Sequence, residues 1–304
     1  MKSRRRSKAL AVWLTLACVL GAPGAVPGQG PDFSILLWRH LETLANLGPR
    51  FPGSLGHQQA RQYIKSVGRE AGGDVREHRF MSKEAGLPMF NIEIRIPGEE
   101  GGRPVLLGAH YDTRPFADED PQAENREQPI VGANDGGSGV AVLLGLARYF
   151  REHPPRRPVH LVFFDGEDFG RKFSSDYFLG SKEYARRLAQ KPADEWPFCV
   201  LVVDMVGDRD LQIYQEVYSK ESAPWLVDLL FKTADQKGYP QFLPKTRYTI
   251  RDDHIPFLEM QIPSAVLIDF DYPFWHTLQD TLDKCSKESL LAVFSVVAEV
   301  VGKL

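Results

Sequence analysis

Apolar residues recur along the chain with two different spacings. Segments 33–47 and 56–71 place them every three or four positions, which is the period of an amphipathic helix. Later segments are short and almost continuously apolar, with many Val, Ile, Leu and Phe residues, as expected of buried strands. The spacing therefore predicts two helices followed by alternating strands and helices.

The predicted order of elements favours an α/β fold. Strands are predicted at 78–82, 89–98, 103–113, 158–166, 198–207 and 262–271, and further helices within 132–153, 179–190, 222–238 and 287–303. Central strands that are apolar throughout and alternate with helices indicate a mostly parallel sheet covered on both faces. Because no internal repeat or break in composition divides the chain, we expect one catalytic α/β domain.

Composition narrows the function classes. The chain has 304 residues, of which 43% are hydrophobic and 25% charged, as in ordinary globular proteins. A net charge of −3, with no long basic run beyond the N-terminus, argues against a nucleic-acid partner. Three cysteines without a CxxC pair support neither a thiolate metal site nor a dense disulfide framework.

The N-terminus has the pattern of an export signal. Residues 1–8 are basic, and 9–26 form an apolar stretch that Gly and Pro interrupt, too short for a membrane span. We predict a signal peptide at 1–29, a catalytic domain at 30–304 and no stable membrane span in the mature chain. The sequence TLAC at 15–18 resembles a lipoprotein cleavage box, so the expected location is periplasmic or secreted, with a lipid anchor as an alternative.

Histidines and carboxylates stand where the core strands end or at the turn that follows. They are His110, Asp112, Asp135, Glu167, Asp168, Asp204 and His276, with Trp275 beside the last. If the strands are parallel neighbours, these side chains converge at one edge of the sheet. Each has a simpler explanation alone, such as a helix cap for Asp135, but the pattern repeats at five strand ends. Two histidines and several carboxylates without cysteine suit zinc.

Spacing suggests roles for two pairs of residues. His110 and Asp112 lie two apart on an extended segment and so face the same way, which would let Asp112 accept the second imidazole N–H. In the Glu167-Asp168 pair, neighbouring acids point in different directions, so one can bind a metal while the other carries protons. A free Glu near like charges should have a raised pKa, which suits general base catalysis.

Several motifs resemble those of the zinc-dependent exopeptidase superfamily of aminopeptidases. They are GAHYDT, GANDGGSG, FFDGED, VVDMVG and WHT. The long stretch 108–144, FFDGEDFG at 163–170 and RDDHIPFL at 251–258 are more specifically similar to the glutaminyl-peptide cyclotransferase branch, especially its bacterial members. The resemblance implies a single-domain, three-layer α/β/α sandwich around a mixed, mostly parallel sheet.

The resemblance also implies roles for individual residues. It assigns zinc binding to Asp135, Asp168 and His276, proton transfer to Glu167, an active-site hydrogen-bond network to Asp204 and Asp253, and substrate contact to Trp275. Animal members of the branch have Glu-Glu where this chain has Glu167-Asp168. In the aminopeptidase relatives a second zinc would share Asp135 and bind His110 and Asp204. All five donors are present, so counting them leaves one zinc or two open.

Two activities on peptides with a free N-terminus are therefore expected. We favour a one-zinc glutaminyl-peptide cyclotransferase, which converts N-terminal Gln to pyroglutamate and ammonia. The alternative is a two-zinc aminopeptidase. A catalytically silent peptide-binding scaffold is disfavoured because Glu167 and every ligand position are filled. The sequence leaves open the natural substrates, the oligomeric state and whether Cys199 and Cys285 form a disulfide.

Overall fold

The structure, a computed structural model, describes residues 32–83, 86–171 and 174–304. The predicted signal peptide and its TLAC box lie outside the described residues. The domain boundary between residues 29 and 30 therefore stays a prediction.

The described residues contain eight strands and eight helices. The strands are β1 (Asp74–Met81), β2 (Pro88–Ile96), β3 (Val105–His110), β4 (Val159–Phe164), β5 (Cys199–Asp204), β6 (Ile213–Gln215), β7 (Phe242–Thr246) and β8 (Ser264–Ile268). The helices are α1 (Phe33–Asn46), α2 (Leu55–Glu70), α3 (Ser138–Glu152), α4 (Leu179–Leu188), α5 (Val217–Ser222), α6 (Pro224–Lys237), α7 (Ile255–Glu259) and α8 (Lys287–Lys303).

Six of the described strands form one sheet in the order β1-β2-β4-β3-β5-β8. β1 pairs antiparallel with β2, and β2 pairs antiparallel with β4. β4, β3, β5 and β8 run parallel, so their carboxyl ends meet at one edge. The predicted mixed, mostly parallel sheet is confirmed.

Alternate residues of the central strands pack on opposite faces of the sheet. Leu107, Leu161, Leu201 and Leu267 share one apolar cluster with residues of α1, α2, α3, α6 and α8. Their neighbours Leu106, Val162, Val202 and Val266 belong to a second cluster with residues of α4 and α7. Each such buried side chain stabilises the fold by roughly 1.5–3 kcal/mol relative to exposure. Helices thus cover both faces, as expected of a three-layer α/β/α sandwich.

The pattern of apolar residues does not predict several short elements near the site. Helix α5 has little apolar periodicity and is set by Glu216, whose carboxylate accepts the N–H groups of Tyr218 and Ser219. The helix lies along edge strand β8, where the Val266 N–H donates to Ser219 Oγ at 3.0 Å. A small parallel pair, β6 and β7, adjoins it. Together these elements frame the loop that carries Asp253.

Both cysteines in the described part are buried free thiols, Cys199 and Cys285. Burial raises the pKa of Cys199 to about 12, so this thiol is unreactive at neutral pH. Separately, no helix among the described residues combines the length and apolarity needed to cross a bilayer.

Candidate metal centre and active-site cleft

The carboxyl ends of the parallel strands bring the predicted ligands together. Asp135 precedes α3, Asp168 follows β4 and His276 follows β8; all three are buried, and each offers a ligand atom within 4.8 Å of the other two. His276 Nε2 lies 3.1 Å from Asp168 Oδ1 and 3.5 Å from Asp135 Oδ2. This group is the metal site that the resemblance implies.

A second group of possible ligands shares Asp135. His110 ends β3 and Asp204 ends β5, and with Asp135 they also lie within the reach of one ion. His110 Nε2 is 3.1 Å from Asp204 Oδ1 and 3.2 Å from Asp135 Oδ1. All five predicted donors therefore converge, with Asp135 between the two groups.

Unpartnered buried oxygens show that the first group fits a cation. Asp135 Oδ2 and Asp168 Oδ2 are buried and have no hydrogen-bond partner in the described part of the chain. Burial and the charge of Asp168 raise the pKa of Asp135 to about 7. Buried carboxylate oxygens left unpaired are costly, and a divalent cation would satisfy both. Two carboxylates and an imidazole form a donor set that zinc accepts.

Glu167 stands beside this group with the properties of a proton carrier. Its side chain is only partly buried and lines the cleft, whereas Asp168 is buried. Burial and the neighbouring Asp168 charge raise the pKa of Glu167 well above its usual range. A carboxyl group with this shift can accept and return a proton near neutral pH.

The Glu167-Asp168 turn is held by Asp112. Its Oδ1 accepts the Glu167 N–H at 3.1 Å, and its Oδ2 accepts the Asp168 N–H at 3.2 Å. Its Oδ1 also lies 3.6 Å from His110 Nδ1, the contact expected from their spacing, but that nitrogen has no hydrogen-bond partner in the described part. The Asp112 side chain therefore fixes the turn of Glu167 and Asp168 by binding the backbone N–H groups of that turn.

Arg114, which the sequence analysis did not single out, supports Asp168. Its guanidinium is buried and lies 3.3 Å from Asp168 Oδ1, and it also pairs with Asp118. Burial opposes ionisation of Asp168, but His276 and Arg114 outweigh it and hold the pKa of this carboxyl below its usual range. Asp168 therefore stays an anionic ligand, while Glu167 holds its proton more readily.

Two residues at the candidate metal centre have strained backbone conformations. His276 has φ 55°, and Met205, directly after Asp204, has φ 45°; both lie in the left-handed region that favours glycine. Residues in this region cost about 1–3 kcal/mol and persist where the surrounding structure fixes them, often at functional sites. The Trp275 ring stacks on the His276 imidazole with 3.8 Å between centroids.

The ligands open into a cleft of about 550 Å³. Its wall includes Trp275, the exposed ring of Phe270 and Asp252. Asp253, singled out by the resemblance, is fully buried and does not line the cleft. Burial and the charge of Asp204 raise the pKa of Asp252 well above its usual range, and burial raises that of Asp253 to about 7.

Comparisons with known proteins agree with this geometry. The family model for peptidase family M28 matches residues 91–301. A glutaminyl-peptide cyclotransferase of the snake Boiga irregularis is 29% identical over 278 residues, covering 79% of this chain and 73% of the relative. The solved glutaminyl cyclase of Porphyromonas gingivalis is 31% identical and aligns with a TM-score of 0.83, covering 89% of this chain and 98% of that one.

Two solved structures from Bacteroides thetaiotaomicron are also similar. One is described as a leucine aminopeptidase precursor and the other as a glutaminyl cyclase bound to N-acetylhistamine. Each is 29% identical with a TM-score of 0.84 and covers 90% of this chain, with 98% and 99% of the respective structures matched. The expected resemblance to the cyclase branch of the zinc exopeptidases is therefore confirmed.

Proposed function

The chain belongs to peptidase family M28, and from this premise we propose that it is a zinc-dependent glutaminyl-peptide cyclotransferase. The observation that carries the proposal is the placement of Glu167 beside Asp135, Asp168 and His276 in the wall of one cleft. The cyclase names of the similar curated proteins and solved structures support the same reaction.

In this reaction the substrate's own α-amine attacks the γ-carbonyl carbon of its N-terminal Gln. Glu167 accepts a proton from the attacking amine and returns it to the departing nitrogen, which leaves as ammonia. Because the reaction is intramolecular, the protein mainly has to hold the bent conformer of the Gln side chain. The raised pKa of Glu167 suits both halves of the proton transfer.

Zinc would be held by Asp135, Asp168 and His276, and when bound it supplies the positive charge that polarises the γ-carbonyl. We propose one ion per chain in the cyclase. The second group, with His110 and Asp204, would instead form the active-site hydrogen-bond network, since His110 Nε2 is already within 3.1 Å of Asp204 Oδ1.

Trp275 and an aspartate of the 251–254 segment would position the substrate. The Trp275 ring is half-buried beside His276 and can pack against the methylenes of the Gln side chain. The resemblance implies that Asp253 belongs to the active-site hydrogen-bond network, from which it could donate to or accept from the leaving amide. A residue that contacts substrate must reach the cleft, however, and Asp252 lines it while Asp253 does not. The geometry thus favours Asp252 for this contact, with Asp253 supporting the loop from behind.

An aminopeptidase is the alternative, which the second ligand group and the description of one similar structure favour. In that reaction water attacks the first peptide bond, and a second ion would bind the α-amine or share the water. Binding of the amine to a metal would block its use as a nucleophile, so the two activities require different occupancies of His110 and Asp204.

The remaining proposals concern where and on what the protein acts. We propose peptide or protein substrates with a free N-terminal Gln, and an exported protein whose basic and apolar N-terminus directs it to the periplasm or the outside of the cell.

A comparison of two peptides tests the proposed function. The purified zinc protein is incubated with a Gln-initiated peptide and with its Leu-initiated counterpart. A cyclase releases ammonia and consumes the free amine of the first peptide and leaves the second intact. Release of a free amino acid from either peptide would instead support the aminopeptidase.

A further inference from the structure

Arg50 is a fully buried arginine behind the candidate metal centre, with none of its side chain exposed. Its guanidinium donates hydrogen bonds to main-chain carbonyls alone in the described structure, those of Leu44, Tyr111, Val131 and Gly132, at 2.7–3.1 Å. Three of these carbonyls belong to the two segments that deliver ligands. Tyr111 lies between His110 and Asp112, and Val131 and Gly132 lead into the turn of Asp135.

A buried carboxylate binds the backbone N–H groups of each of two ligand turns. Asp280 Oδ1 accepts the Asn134 N–H at 2.8 Å, and its Oδ2 accepts the Asp135 N–H at 3.0 Å. Asp112 binds the Glu167 and Asp168 amides in the same manner. The protein therefore buries two acids to place its ligands, in addition to the buried ligand Asp135 itself.

Arg50 adds a permanent positive charge next to these acids, and its charge interacts favourably with those of Asp280, Asp112 and Asp135. The imidazoles of His110 and His276 also face Asp135, at 3.2 and 3.5 Å. Burial lowers the pKa of Arg50 to about 10, which still leaves the guanidinium protonated at neutral pH. Arginine suits this place because its planar fork can bind several carbonyls while its charge acts on carboxylates nearby.

We propose that Arg50 is a positioning residue, a resident cation that keeps Asp112, Asp135 and Asp280 in place whenever zinc is not bound. The proposal rests on the zinc centre of the proposed function but not on which peptide reaction follows. Arg50 binds the main chain next to His110 and close to Asp135, and a bound ion would be held by side chains of the same two segments, so both would keep these segments in place. The loss of Arg50 must therefore destabilise the zinc-free protein more than the zinc-loaded protein.

The test compares unfolding temperatures with zinc and after chelation. The proposal predicts that Arg50→Met widens the difference between the two temperatures by roughly 6–10 °C relative to wild type, the effect of leaving buried acids without their counter-charge. Arg50→Lys keeps the charge but loses the planar guanidinium that binds several carbonyls. It should therefore lower both unfolding temperatures and leave the difference between them near that of wild type. Leu41→Ala, which opens a cavity in the apolar core without removing a charge, should also lower both temperatures alike.

Several outcomes decide the question. An Arg50→Met protein that folds only when zinc is present is the extreme form of the expected result. The proposal is overturned if the gap between the unfolding temperatures with and without zinc is the same in Arg50→Met as in Leu41→Ala. It is also overturned if Arg50→Lys widens this gap as much as Arg50→Met does.

A milder substitution covers the case in which Arg50→Met folds in neither state. Arg50→Gln removes the charge of Arg50 but keeps a side-chain N–H donor, and it leaves both Asp280 acceptors in place. Arg50→Gln should fold with zinc and show a wider difference between the two unfolding temperatures than wild type; a difference equal to that of wild type, or no folding with zinc, overturns the proposal. A wild-type protein without any zinc-dependent shift would refute the metal centre itself, whereas absence of ammonia release would refute only the cyclase.

Discussion

The Nε2 atom of His276 lies 3.1 Å from Oδ1 of Asp168, although the two residues follow different strands, β8 and β4. The contact exists because parallel strands end at the same edge of the sheet and because His276 adopts a left-handed backbone conformation there. It brings an imidazole nitrogen and a buried carboxylate, with Asp135, within the reach of one cation.

Replacing His276 should empty this site. His276→Ala removes a ligand outright, and even residues that only orient ligands change metal affinity by about 10–100-fold, so we expect at least about a 100-fold loss in zinc affinity. Metal analysis after equilibration with a competing chelator measures it. His153→Ala, an exposed histidine far from the ligands in sequence, should keep full zinc content. Retention of zinc by His276→Ala would remove this residue from the ligand set.

Glu167→Gln should slow catalysis without reducing zinc binding. Because Glu167 is assigned to proton transfer and not to zinc, kcat should fall by about 10²–10⁴-fold while zinc content stays close to one per chain. Steady-state kinetics and metal analysis on the same preparation test this. Glu259→Gln, an exposed acid on α7, serves as the control and should change neither quantity. Loss of zinc from Glu167→Gln would contradict the assigned role.

Substitutions of the neighbouring residues Asp252 and Asp253 should have different effects on kcat. Asp252 lines the cleft, so Asp252→Asn should lower kcat by about 100-fold or more, as expected when a group that contacts the reacting atoms is changed. Asp253 is fully buried outside the cleft lining, and its pKa is about 7, so the neutral Asn should be tolerated with less than about a tenfold loss. A larger loss of kcat in Asp253→Asn would indicate that Asp253, and not Asp252, contacts the substrate.

The zinc-free protein should lose stability as pH rises. The pKa values of Asp135 and Asp280 are raised from 3.8 to about 7 and about 6, so the folded state binds protons more tightly than the unfolded chain. Their contribution is present below about pH 4 and is lost as pH rises toward 7. Zinc requires the ionised ligands, so it should become more stabilising over the same range. Thermal unfolding at pH 5 and pH 7.5, with zinc and with chelator, measures both trends; a zinc-induced shift that shrinks with pH would contradict them.

The sheet and the convergence of the candidate ligands could be predicted because both leave local signals in the sequence. Apolar strands β3 and β5 are buried along their whole length, and β4 is buried except at His160; the residues that end these strands are unusual for a core. Strand β1 begins at Asp74 instead of residue 78 because it is an edge strand with mostly exposed side chains, which weakens the apolar pattern.

The supporting residues could not be predicted because their roles depend on tertiary contacts. Arg50 lies in a Pro- and Gly-rich stretch, and only the folded chain brings it to the carbonyls of Tyr111 and Gly132. His57, which has no partner in the sequence pattern, bonds Asp165 at 2.9 Å beneath the ligand turn. Asp252 and Asp253 are adjacent in sequence, so only the cleft lining distinguishes them.

The most direct test of the central claim is the mass of the product formed from a Gln-initiated peptide by the zinc protein. The account predicts a single product lighter than the substrate by one ammonia, still of full length, and absent when Glu167→Gln is used. A peptide shortened by its N-terminal residue, with free Gln released, would contradict it and identify the chain as an aminopeptidase.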